Sequence, residues 1–114
     1  MNEFYFPALI KGLPEADITF KGIKGWLSQG PDHQIVFMDI EPIGEVADHS
    51  HGEQWGVVLE GEMDFTIGGV KKTYTKGDSY YIGDGVVHSA VFKKRTFVMD
   101  MFRQKDRYKV KSEL

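Results

Sequence analysis

Short stretches of alternating apolar and polar residues, separated by Gly- and Pro-containing turns, run from Ile18 to Phe102. That pattern constrains the fold more than any other feature. Side chains two apart share a face of a strand, and turns at such close intervals leave no room for long helices. Strands are expected over residues 18–29, with bends at Gly22 and Gly25, and over 34–41, ended by Pro42. Further strands are expected over 54–60, 63–67, 70–75, 79–82, 86–92 and 96–102, with Gly68-Gly69 closing a hairpin. About nine short strands and no helical period predict an all-β domain.

At 114 residues the chain suffices for one domain, spanning 1–114, with an N-terminal arm (1–17) and a basic tail (103–114). A net charge of −3 gives no reason to expect nucleic acid as a partner. The absence of cysteine excludes thiolate ligands and disulfides. No stretch approaches the ~20 apolar residues of a membrane span, and no signal peptide is evident, so the cytoplasm is the expected location. The aromatic run Phe4-Tyr5-Phe6 has two readings: it lies across the outside of its own sheet, or it pairs with a second subunit. The second reading predicts a homodimer.

Residues 44–61 hold the chemistry. His49 and His51 stand two apart, so both imidazoles point one way from an extended strand. Glu53 would continue that face. If Gly52 breaks the alternation, Gln54 swings round beside the histidines instead. His88 lies far downstream, after Gly83-Asp84-Gly85. Three imidazoles and an amide oxygen form a reasonable donor set for one divalent transition metal, with Ni, Zn, Fe, Mn or Cu all compatible. Outside these stretches, Asp100 shares a face of the last strand with Val98 and Phe102. A carboxylate inside a β domain needs a reason to be there. It is either a proton-transfer group tuned by burial or a strand-end carboxylate bonded to a tail arginine. His33 sits in a turn, outside this constellation.

Two stretches together resemble the paired motifs of the cupin superfamily. The first runs through Gly44, His49, His51, Gln54 (where Glu is usual) and Gly61. The second runs through Gly77, Gly83 (for Pro), Gly85, His88 and Phe92 (for Asn). They follow in order, fifteen residues apart (62–76). The resemblance implies a jelly-roll barrel with metal ligands His49, His51, Gln54 and His88. Its spacing favours Gln54 over Glu53.

The end of the chain is similar to that of the small cupins that linearise unsaturated uronates. There an Asp, a Phe and a following Arg line the site, and the metal shell is three His and one Gln. This likeness implies roles for Asp100, Phe102 and either Arg107 or Arg103, with Tyr81 and Trp55 as candidate wall residues. The function it implies is metal-dependent lyase or isomerase chemistry on a polar small molecule such as a sugar acid. An Fe(II)-type dioxygenase and a non-catalytic binding module are the alternatives, since fold alone does not choose among them.

Overall fold

In a computed structural model, residues 4–112 are described. One short helix, α1 (Ala8–Lys11), precedes nine strands. These are β1 (Ile23–Gln29), β2 (Gln34–Ile40), β3 (Gly44–His49), β4 (Gln54–Glu60), β5 (Glu62–Ile67), β6 (Val70–Thr75), β7 (Ser79–Ile82), β8 (His88–Phe92) and β9 (Thr96–Phe102). They form two antiparallel sheets, ordered β1-β2-β9-β4-β7 and β3-β8-β5-β6. The all-β jelly-roll architecture is as expected. The sheets face each other without closing into a continuous ring, because no strand belongs to both.

Period-two alternation fixes the faces. Along β2, Gln34, Val36, Met38 and Ile40 are buried while Ile35, Phe37 and Asp39 are half-exposed. Inner side chains of both sheets, among them Val36, Val58, Phe65, Ile82, Ala90, Phe92 and Phe102, make one core between the layers. Register across the larger sheet then sets the site. One row reads Gln34, Phe102, Gln54, Ile82, and the next reads Val36, Asp100, Gly56, Tyr80.

The aromatic arm is used within its own chain. Phe6 packs edge-on against Trp26, Phe37 and Phe97 on the outer face of the larger sheet, and Phe4 lies on Phe97. Fully burying one such ring contributes about 1.5–3 kcal/mol. The homodimer expected from exposed arm aromatics therefore loses that ground: Phe6 is buried, and of the three only Tyr5 is largely exposed.

Two local expectations are corrected. The first strand begins at Ile23, not residue 18, because Gly22 turns the chain at φ 92°. The edge of β1 is taken by residues 14–16 instead, through Ala16 N–H to Gly25 O and Leu27 N–H to Pro14 O. Helix α1 has only four residues, too short for a 3.6-residue period to show in the sequence. The tail, either helix or arm on sequence grounds, is an extended arm. It bridges Val110 to Ala16, with Asp17 N–H donating to Lys109 O and Lys111 N–H to Glu15 O.

Candidate metal centre

His49 ends β3, His51 follows it in the connection to β4, and His88 begins β8 opposite His49. Their ligand atoms all lie within 4.8 Å of one another. Each ring places Nδ1 on a backbone carbonyl: His49 on Ala47 (3.0 Å), His51 on Gly52 (2.8 Å) and His88 on Val86 (2.9 Å). A neutral imidazole that donates from Nδ1 has its lone pair on Nε2. The Nε2 atoms of His51 and His88 approach to 3.0 Å, and two facing lone pairs repel unless a proton or cation lies between them. Two ligands each ~2.0–2.1 Å from one ion would stand at about this separation.

Gln54 supplies an independent test of fit. It is 6% exposed, and its Oε1 has no hydrogen-bond partner among the described residues. An orphaned buried carbonyl oxygen is costly, about 1–3 kcal/mol, unless something pairs with it. Its amide nitrogen donates to the Asp100 carboxylate. An ionised carboxylate can only accept, so this contact turns the nitrogen toward Asp100 and leaves Oε1 for the imidazole cluster. The residues present therefore fit a divalent ion held by three imidazoles and one amide oxygen.

Burial tunes the site's charge. Desolvation lowers His51 to about 4, with cationic Arg107 and the neighbouring imidazoles adding to the effect. His88 is lowered by the same burial. Both rings are thus neutral and ready to coordinate at neutral pH. Desolvation raises Asp100 to about 6, against the opposing pull of hydrogen bonds from Tyr80 and Gln54. The Tyr80 hydroxyl donates to Asp100 Oδ1 at 2.6 Å and is itself held well above its ordinary value by burial and that carboxylate.

Gly56 makes the Asp100–Tyr80 pair possible. A Cβ there would run into Asp100 Oδ1 and the Tyr80 ring, so this pair fills the space that a side chain at 56 would need. Gly56→Ala should cost roughly 1–3 kcal/mol through overpacking and separate the pair. Urea denaturation measures the cost, and an unchanged midpoint would show that the two side chains move aside freely.

An inner cavity of about 100 Å³, lined by the three histidines, Gln54, Asp100, Phe102 and Arg107, lies next to a wider mouth of about 560 Å³. His49, Arg107 and Tyr108 line both. Phe102 is 1% exposed and meets the His51 ring edge-on at 5.3 Å. The Arg107 guanidinium sits over the Tyr108 ring at 4.4 Å and Phe102 at 5.7 Å.

Other residues singled out in the sequence lie elsewhere. Tyr81 and Trp55 pair across β7 and β4 on the outer face, 58% and 43% exposed, so neither walls the inner cavity. Arg103 is also outside, 2.8 Å from Glu53, and Tyr81 donates a hydrogen bond to the same carboxylate. Glu53 is thus turned away from the histidines, and Arg107 is the tail arginine that reaches them. Tyr80 was missed. Parity with the inward Ile82 was the available signal, since residues two apart share a face.

Comparison with known proteins agrees with this fold. The family model described as a cupin domain matches residues 36–100. The H2HPP isomerase of Bacillus subtilis is 30% identical over 92 residues, covering 79% of this chain. This chain spans only 37% of that relative's length. A crystal structure of an RmlC-like cupin from Shewanella frigidimarina NCIMB 400 superposes with TM-score 0.74 at 26% identity, covering 94% of each chain. KdgF from Halomonas sp. superposes with TM-score 0.70 at 23% identity over 81% of this chain and 88% of that one, a likeness of fold.

Proposed function

This chain belongs to the cupin family, and we propose that it is a metal-dependent isomerase or lyase acting on a small carboxylate-bearing molecule such as an unsaturated sugar acid. The observation that carries this reading is the convergence, in one cavity, of the histidine–glutamine donor set, buried Asp100 and Arg107. The name of the curated relative, an isomerase, supports the same class. So does the likeness of Gln54, Asp100, Phe102 and Arg107 to the uronate-linearising cupins. Among the described residues no helix is long and apolar enough to cross a membrane.

Each side chain has a role. Arg107 offers a guanidinium whose buried Nε has no hydrogen-bond partner among the described residues, suited to a substrate carboxylate. The inner cavity admits only the reacting end of a sugar acid, and the mouth takes the remainder against Asp17, Thr19 and Lys109. A divalent ion, when bound, polarises a substrate oxygen as a Lewis acid. Asp100, raised to about 6, is poised to take a proton from one carbon or oxygen and return it to another. Tyr80 holds that carboxylate in place through its hydroxyl. Phe102 closes the cavity against water.

The test is turnover of an unsaturated uronate by the metal-loaded protein, followed by NMR. Arg107→Ala should weaken substrate capture roughly 10- to 100-fold, the effect of losing a charge-assisted hydrogen bond. If no unsaturated or keto sugar acid is turned over, yet such acids still raise the melting temperature, the protein is a binding module.

A further inference from the structure

We infer that Gln34, in the same row of the larger sheet as Gln54, is the positioning residue for Arg107. The inference rests on the reading of Arg107 as the group that holds a substrate carboxylate. The observation behind it is a buried amide clamped to the backbone of Tyr108, the residue that follows that arginine.

Gln34 occupies an inward position of β2 and is 1% exposed. Burying an amide there is costly unless its polar atoms are paired, and a Met or Leu would fill the same space without that cost. Its atoms are paired almost entirely with one target. Nε2 donates to Tyr108 O at 2.8 Å, and Oε1 accepts from Tyr108 N–H at 3.0 Å. The side chain thus gives Tyr108 the two hydrogen bonds that a neighbouring strand would give. The second Nε2 hydrogen goes to Gln29 Oε1 at 2.8 Å, and Gln29 Nε2 donates in turn to Lys105 O at 2.9 Å.

The tail needs such a clamp. Its backbone is tied to the rest of the chain at Arg103, through Glu53 O, and again at Lys109 and Lys111. Between those points, among the described residues, no bond from main chain to main chain joins it to a strand. The two glutamines grip Lys105 and Tyr108, one on each side of Arg107. The Tyr108 peptide also sets the ring over which the guanidinium lies. Freed from Gln34, the segment would keep the holds at Gln104 and Lys105, but Tyr108 would lose both of the hydrogen bonds that fix its peptide, and the guanidinium would spread over more positions.

A double-mutant cycle on the full chain tests this, with galacturonate as probe for the carboxylate and Zn as probe for the metal site, both followed by calorimetry. Gln34→Met should weaken galacturonate binding by roughly 10-fold or more, close to the loss from Arg107→Ala. It should not weaken Zn binding, because Arg107 is not a ligand and its positive charge opposes a cation at the imidazoles. In the Arg107→Ala background, Gln34→Met should add nothing further, since the two act through one guanidinium. A merely structural role for Gln34 would add its full loss in both backgrounds, and that result overturns the inference. So does loss on Arg107→Ala with parental affinity in Gln34→Met. If the parent does not bind galacturonate, or Arg107→Ala binds it as the parent does, the Arg107 reading fails and takes the inference with it. Should Gln34→Met not fold, the exposed Gln29→Ala removes the grip on Lys105 and carries the same cycle. It should show a smaller loss that also vanishes without Arg107, and parental affinity there overturns the inference.

Discussion

Asp100→Asn should slow turnover of an unsaturated uronate by ~10²–10⁴-fold while the fold and the metal remain. The new amide is nearly isosteric, and its oxygen can still accept from the Tyr80 hydroxyl, but it cannot exchange a proton. Rates must be compared at equal metal occupancy, because Asp100 also holds the Gln54 amide nitrogen. Stability should move the opposite way. Burial raises the folded-state value of Asp100 from 3.8 to about 6. With the folded value above the unfolded one, the fold binds the proton more tightly, and that stability is lost as pH rises from 3.8 through 6. The loss amounts to about 3 kcal/mol. Asp100→Asn carries no such term, so at pH 7 the metal-free variant should gain on the parent relative to pH 4. Denaturant unfolding at the two pH values reads this directly. Lower activity with higher stability is the mark of a group retained for chemistry at a cost to the fold. Parental turnover in the variant would remove Asp100 from the reaction, and equal stability differences at both pH values would show that its carboxyl is not perturbed by burial.

His88→Ala should abolish uptake of a divalent ion and the thermal stabilisation that accompanies it. A ligand at 1,000 times its dissociation constant stabilises the folded state by ~4 kcal/mol. For a domain of this size that raises the melting temperature by more than ~10 °C. Elemental analysis should find about one Ni, Zn, Fe, Mn or Cu per parent chain. The variant should show neither the ion nor the shift. The parent's uptake should weaken in acid, because protons compete for the same nitrogens. Burial lowers His51 to about 4 and lowers His88 as well, so these two resist protonation where a free imidazole at 6.5 would already be charged. Zn titrations between pH 4 and pH 7 follow the loss. A parent chain that takes up none of these ions at pH 7 would leave the orphaned Gln54 oxygen without a partner and end the metal reading.

The sequence by itself determined most strands and the parity along them. Residues 54–60, 70–75, 79–82 and 96–102 form strands with the expected bounds. Val98, Asp100 and Phe102 share the buried face of β9, as alternation requires. Local periodicity carries that information because strand geometry repeats every two residues. The clustering of His49, His51 and His88 was legible for a different reason: paired motifs in fixed order bring two distant stretches into one site. Tertiary structure alone decided the rest. Alternation does not say which parity faces the core; pairing across strands does. Hence Tyr80 points inward and Tyr81 outward, and Glu53, whose place among the ligands the motif spacing gives to Gln54, turns to Arg103. The irregular segments have no period to read. Phe6 finds its place only against Trp26, Phe37 and Phe97, which meet when the larger sheet forms. Arg107 reaches the cavity only because a glutamine 73 positions earlier in the chain is there to hold the next residue, a contact between Gln34 and Tyr108 that no local pattern encodes.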